Sequence, residues 1–354
     1  MATEAARSRC RVRLERLARS TLDVDALRLE AVGELRPVVG FELWGVPLVD
    51  PDTLIPSRVV VSEAPPWGGW LPERWVLDQR AEINGRAALA TGPDHVGVLS
   101  QTTGGDLARC RRWRDFGRPV GMGDELRAAI VDEHGCWGSF ELFRASDERP
   151  FGPDDAHLVA DAARIVAPAL RRGRTTSQPN QARPPLTGVV LVDRDLRAQG
   201  VTEAARAWFA LLDARRQPER TPLPLPVYGV VGRLLAAEVG EGPDRAPRAR
   251  VRTSTGGWAV VEAARLDGGD ELVAVSIRAA GPADVVDLVS RARGLTARES
   301  ELLTLVLEGL DTRELARRMF ISAYTVKDHL KAVFAKLDVH SRRELVSELF
   351  GRGR

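Results

Sequence analysis

Residues 294–350 read GLTARESELLTLVLEGLDTRELARRMFISAYTVKDHLKAVFAKLDVHSRRELVSELF, and the helix punctuation in this run decides the fold of the C-terminal part of the chain. Thr296 and Glu299 have the spacing of a capping box, in which the hydroxyl accepts from the third amide and the carboxylate returns to the cap amide. Asp311 with Glu314 and Ser341 with Glu344 repeat that spacing. Ser322 supplies a further cap, and Gly309 stands where a helix ends in the left-handed region. The apolar residues recur at helical intervals inside these limits: Leu302, Leu303, Val306 and Leu307; Leu315, Ala316 and Met319; Val326, Leu330, Val333, Phe334 and Leu337; Leu345, Val346 and Leu349. Four packed helices are predicted. Only Phe320 and Ile321 separate the second helix from the Ser322 cap, the tight connection of a helix-turn-helix, which makes residues 323–337 the exposed later helix.

Charge points to the same segment. From Arg291 onward the chain carries 13 Lys and Arg against 9 Asp and Glu, although its net charge is only +2. The protein's lysines, Lys327, Lys331 and Lys336, all fall within the predicted third helix, while arginine serves as the cation elsewhere. A basic face on a short helix suits the phosphate-lined groove of a duplex.

The run closely resembles the C-terminal domain of LuxR/FixJ-type regulators. Leu295, Thr296, Arg298 and Glu299, then Gly309, Glu314 and Ala316, then Ser322, Thr325, Val326, Lys327 and His329, then Lys336, Leu337, Val339, Ser341 and Arg342 all stand where that pattern has them. Asp311 replaces the usual Ser and remains a good cap. Asp338 replaces the usual Gly, and a non-glycine residue at positive φ costs about 1 kcal/mol. The resemblance implies double-stranded DNA as partner. Lys327, Asp328 and Lys331 would meet base edges, lysine reading guanine O6 and N7 and aspartate accepting from cytosine N4. Ser322, Thr325, His329, Lys336 and Arg342 would position phosphates. It also implies a homodimer joined through the fourth helix, around Leu345, Ser347 and Leu349, on a roughly palindromic site, with RNA polymerase as a further partner.

Upstream lie 280 or so residues, too many for one ordinary core. The polar, proline-bearing run 171–185 and a shorter break at 279–282 divide the chain into residues 1–174, 186–280 and 290–354. The first part opens with helical repeats (Leu14, Leu17, Leu22, Leu27, Val32, Leu35). Strand-like runs VVGFELW, RVVV and VGVLS follow, then a hairpin DELRAAIVDEHGCWGSFELFR turning at His134 and Gly135, then a helix in PFGPDDAHLVADAARIVAPALRR. The second part predicts a hairpin turning at residues 193–195, helices over 202–212 and 227–238, and two closing strands around Gly268 and Gly269. DELR, CWG and RPFGPDDA give the first part its resemblance to a GAF domain. The element order of the second is similar to a PAS-like domain. The expected fold is therefore multidomain α+β: a GAF-like sensor, a PAS-like domain and an all-α helix-turn-helix.

Composition and motifs exclude other classes. Apolar residues at 44% and charged residues at 28% are ordinary globular values. No apolar run reaches the roughly 18 residues of a membrane span, and the N-terminus lacks a signal-peptide apolar run, so a cytoplasmic protein without membrane contact is expected. With no lysine before Lys327 there is no Walker P-loop, and the acidic turn Asp193–Asp195 lacks the lysine of a phosphoreceiver domain. Cys10, Cys110 and Cys136 are widely spaced and read as structural thiols. Cys110, Cys136, His95 and His134 are read as packing and turn residues rather than metal or haem ligands. Trp67, Trp70, Trp75 and Trp113 read as core-edge aromatics, and residues 103–106 as a loop. The arginine-rich start (Arg7, Arg9, Arg11, Arg13, Arg16) reads as a signalling or dimer helix. No Ser/His/Asp set or carboxylate pair appears. The chain is expected to be a non-enzymatic one-component regulator without a cofactor, switched by a small molecule or protein; the alternative is an enzymatic or ligand-processing sensor in the N-terminal half.

Overall fold

The computed structural model describes residues 3–62, 72–80, 82–175, 184–212, 222–266 and 272–350. Two helices open the chain, α1 (Glu4–Ala18) and α2 (Val24–Val39), capped by Thr3 and Asp23. Val38 and Val39 finish α2 rather than starting a strand, because Gly40 turns the backbone at φ +74°. Strands β1 (Leu43–Val49), β2 (Pro56–Val61), β3 (Val96–Val98), β4 (Met122–Asp132) and β5 (Gly135–Ala145) form one antiparallel sheet in the order β2-β1-β5-β4-β3. Short helices α3 (Pro72–Leu77), α4 (Arg86–Thr91) and α5 (Leu99–Thr102) lie between β2 and β4, and the long α6 (Pro153–Gly173) follows β5.

The expected hairpin is present, turning at residues 133–134. Its alternation sends Leu126, Ala128, Ile130, Phe140 and Leu142 into a core with Cys10, Leu14, Val32, Leu35, Val159 and Val166 of α1, α2 and α6. The arginines of α1 are partly taken up internally: Arg7 pairs with Asp154, Arg11 with Asp161 and Arg13 with Glu34. On the other face of the sheet, Glu125, Arg127 and Glu141 are buried beneath α3 and α4. Arg127 bonds Glu125 at 2.7 Å and Asp78 at 3.1 Å, Arg112 bonds Glu125 at 2.6 Å, and Glu141 receives Arg74 at 3.0 Å and Arg86 at 2.9 Å. Burial alone would raise the Glu125 carboxyl, but Arg112 and Arg127 hold it down at about 2.

The second sheet domain comprises β6 (Gly188–Val192), β7 (Ala198–Val201), α7 (Glu203–Leu212), α8 (Leu225–Glu238), β8 (Arg248–Arg252), β9 (Trp258–Arg265) and β10 (Val273–Ala279). The closing part holds three strands rather than the expected two, because the turn at Thr253–Gly257, with Gly256 at φ +84°, splits the first run. Gly268 and Gly269 lie outside the described residues, as do Trp67 and Trp70. The strand order β7-β6-β10-β9-β8 repeats, within its own domain, the order of the first sheet. Val190, Val192, Val261, Val275 and Ile277 pack with Trp208 and Phe209 of α7 and Val230 and Val231 of α8, and Ile55, Trp75 and Val76 of the first domain join this core.

Helix α9 (Pro282–Arg293) comes next, with Asp284 Oδ2 accepting from the Gly281 amide at 2.8 Å and Gly294 ending it at φ +62°. Where the sequence suggests only a break at 279–282, Pro282, Asp284 and the spacing of Val285, Leu288, Val289 and Ala292 are the signals of this helix. Its Val285, Leu288 and Val289 meet Trp258 and Val260 of β9 and the C-terminal core, and Ala292 meets the core of the first domain. The chain ends in α10 (Ala297–Leu307), α11 (Thr312–Arg318), α12 (Ala323–Leu337) and α13 (Arg342–Phe350), the four helices expected. No helix among the described residues is long and apolar enough to cross a membrane.

Candidate nucleic-acid interface

The geometry of α12 is set by its flanks. Thr296 and Glu299 form the expected reciprocal cap of α10, the Glu299 carboxylate accepting from the Thr296 amide at 2.7 Å. Asp311 and Glu314 do the same for α11. At the turn, Met319 closes α11, Phe320 takes φ +55°, and the Ile321 amide donates to the Ala316 carbonyl at 3.0 Å, which brings the chain round within three residues. Ser322 Oγ then accepts from the Thr325 amide at 3.0 Å and starts α12. The last pair is only half as expected: Ser341 Oγ accepts from the Glu344 amide at 3.1 Å, while the Glu344 carboxylate accepts from the His340 amide at 2.7 Å.

Val326, Leu330, Val333 and Leu337 face the core, so the opposite side of α12 faces water. Lys327, Asp328 and Lys331 are exposed there and make no ion pair with a described residue. Their spacing of one, three and four residues makes a single stripe. Tyr324, 74% exposed, extends the stripe toward the N-terminus. It is not among the residues that the family resemblance singles out, although it sits three residues before Lys327 on the same face. Thr325 and His329 flank the stripe half-buried, with the Thr325 hydroxyl 2.8 Å from Ser322 Oγ.

Four residues take other positions than the resemblance implied. Lys336 Nζ donates to Glu299 Oε2 at 2.6 Å and to the Gly294 carbonyl at 3.1 Å, so it is a strut from α12 to the start of α10 rather than a free phosphate ligand. Burial would raise the Glu299 carboxyl, but Lys336 and the Thr296 cap lower it. Arg342 donates to the Leu310 carbonyl at 2.6 Å and approaches Thr312 Oγ1 at 3.5 Å, tying α13 to the α10–α11 turn. Leu345 and Leu349, expected at a dimer contact, are buried in the domain's own core at 1% and 2% exposure, because their i, i+4 stripe faces the bundle. Ser347 is half-buried, and Val346, 38% exposed, lies on the outward side.

The other candidate residues stay apart. Burial pushes the Cys136 thiol up to about 11, and its Sγ donates to the Gly138 carbonyl at 3.4 Å, the behaviour of a core thiol. Among the described residues no group of His, Cys, Asp and Glu could hold a metal ion. Trp75 is buried, and Trp113 Nε1 donates to the Met122 carbonyl at 3.0 Å.

Comparison with known proteins concerns mainly this end of the chain. Residues 293–349 match the family model of bacterial regulatory proteins, luxR family. The monoamine regulon transcriptional regulator of Klebsiella aerogenes is 49% identical over 53 residues, covering 15% of this chain and 23% of that protein. The spore germination protein GerE of Bacillus subtilis is 39% identical over 59 residues, 17% of this chain and 80% of that one. An HTH-type transcriptional regulator of Mycobacterium tuberculosis is 46% identical over 59 residues, of which the matched stretch is 7% of its length. Escherichia coli SdiA superposes over 96% of this chain and 95% of its own with a TM-score of 0.34 and 12% identity. The cyanobacteriochrome TePixJ GAF domain superposes over 44% of this chain and 97% of its own with a TM-score of 0.30 and 14% identity. Scores of that size set no family for the two sheet domains. The caps, the tight turn and the matched residues together make residues 293–349 a helix-turn-helix domain of the bacterial regulatory proteins, luxR family.

Proposed function

We propose that the protein is a non-enzymatic, cytoplasmic, one-component transcriptional regulator in which α12 reads the major groove of double-stranded DNA. The observation that carries this reading is the exposed stripe Lys327, Asp328 and Lys331 on a helix fixed at both ends by caps, within a luxR-family domain. Lysine donors suit guanine edges and Asp328 suits the amino group of cytosine, while Ser322, Thr325 and the first amides of α12 approach phosphate. A duplex offers equivalent half-sites to two copies of the chain, so the reading includes a homodimer on a roughly palindromic operator. Val346 and Ser347 on the outward side of α13 are its contact, in place of Leu345 and Leu349.

The two sheet domains are read as GAF-like and PAS-like sensory units that respond to a small molecule or protein, with RNA polymerase as the downstream partner. Their support is the shared strand order and the contact each makes with α9, which leads directly into α10. The test is selection of random duplexes by the full chain. One enriched motif with two-fold symmetry is expected, and recovery of no motif above background overturns the reading.

A further inference from the structure

A cavity of about 220 Å³ lies where the first sheet domain meets α8 of the second. Two of its lining residues are arginines from opposite sides of that boundary: Arg86, at the start of α4, and Arg233, on α8. Arg233 is only 2% exposed. Its Nη2 donates to Gln79 Oε1 at 2.9 Å, and its Nε and Nη1 have no partner among the described residues. Arg86, 4% exposed, gives Nη2 to Glu141 Oε1 at 2.9 Å and leaves Nε without a partner among the described residues. Burial and the like charges of Arg245 and Arg86 push the Arg233 guanidinium down to about 10.

Among the described residues, the neighbouring carboxylates of Asp78, Glu125 and Glu141 are already engaged by Arg74, Arg86, Arg112 and Arg127, which leaves none of the three for Arg233. Arg233 adds another cation whose described partner is an amide. None of the other described charged residues lining the cavity pairs with Arg233 either. Asp78 is engaged by Arg127 at 3.1 Å, Arg80 pairs with Glu241 at 2.8 Å, and the half-buried Glu82 carboxylate faces the Cys110 thiol at 3.4 Å. Buried guanidinium groups are ordinarily saturated by anions, because an unpaired buried charge is costly. Leu54, Ala87 and Pro243 give the same cavity apolar wall. Its volume exceeds the roughly 150 Å³ that accommodates benzene.

We propose that this cavity binds a small organic oxyanion, a carboxylate or phosphate group held by Arg233 and Arg86 with a short apolar body against Leu54, Ala87 and Pro243. The planar guanidinium fork matches both oxyanions. An occupant would bridge α4 and α8, two elements of different domains, and so favour one arrangement of the pair. This deepens the sensory reading above and rests on it for the consequence, whereas binding itself does not depend on DNA.

The experiment follows the melting midpoint of the full chain with benzoate, with inorganic phosphate and with phenyl phosphate, each against chloride at equal ionic strength. A rise of several degrees with benzoate identifies a carboxylate site, and a rise with either phosphate a phosphate site. The rise should vanish in Arg233→Met. Ala87→Phe, which fills the cavity and keeps both arginines, should abolish it as well and serves if Arg233→Met does not fold. No rise with any of the three anions, or an equal rise in a folded variant, overturns the site. Affinity for the selected duplex, measured with and without the effective anion, separates the two readings. A duplex bound equally in both removes the sensory consequence and leaves the site, whereas DNA binding by a chain that takes up no anion leaves the DNA reading alone.

Discussion

Asp338 ends α12 at φ +57° and ψ +47°, a conformation that glycine adopts freely and aspartate tolerates with strain. Asp338→Gly is expected to stabilise the C-terminal domain by about 1 kcal/mol in denaturant unfolding. An unchanged or lowered midpoint would show that the aspartate side chain compensates locally. The three lysines divide by role at this scale. Lys336 is held by Glu299 and Gly294, so Lys336→Met is expected to cost about 1 kcal/mol of stability and to leave base preference alone. Lys327→Ala and Lys331→Ala should instead leave stability alone and flatten preference for the selected motif by roughly 1 to 3 kcal/mol. The identity of the lysines was legible in the sequence and so was their helix. Which of them faced a partner across the bundle was not, because the partner Glu299 is 37 residues away and already spoken for as a cap.

Elements were read best where side chains signal locally. The caps at Thr296, Asp311 and Ser322 gave correct helix starts, and the alternation in β4 and β5 gave the hairpin. Alternation also sends Glu125, Arg127 and Glu141 away from the apolar core, which for an ordinary half-buried sheet means toward water. In the protein that face is covered by α3 and α4 and saturated by arginine, a partnership assembled from residues 74 to 141 that no local pattern reveals. Glu125 is held at about 2 against an ordinary value of 4.5, so its contribution to stability is complete above pH 4.5 and is lost as the pH falls toward 2. Glu125→Gln should therefore reduce stability at pH 7 and reduce the difference between pH 7 and pH 3. A variant with the wild-type acid profile would contradict the pairing.

At the scale of the molecule, α9 touches all three parts: Ala292 lies in the first core, Val285, Leu288 and Val289 lie with Trp258 and the C-terminal core, and Arg171 of α6 donates to the Ala292 carbonyl at 3.0 Å. A second tie is Asp50, whose carboxylate receives Arg250 through Nε at 2.8 Å and Nη2 at 2.7 Å and is 1% exposed. Asp50→Ala removes the two-pronged acceptor of that guanidinium and leaves it Asp52 and the Asp284 carbonyl, and is expected to cost about 1.5 to 3 kcal/mol. A loss below about 1 kcal/mol by denaturant unfolding would mean the guanidinium finds water instead. The helix-turn-helix was legible because its signals are local and dense; the joining of the domains was not, because ion pairs such as Arg291 with Asp52 span 239 residues. If α12 carries sequence preference and the surrounding backbone and cations carry general affinity, a titration separates the two: the selected duplex and a scrambled one are bound by the full chain and by the Lys327→Ala, Lys331→Ala double variant over a series of salt concentrations. Wild type is expected to prefer the selected duplex, with affinity falling steeply with salt, and the double variant to bind both duplexes alike with a shallower slope. A double variant that keeps the wild-type preference, or affinity indifferent to salt, would contradict this division of roles.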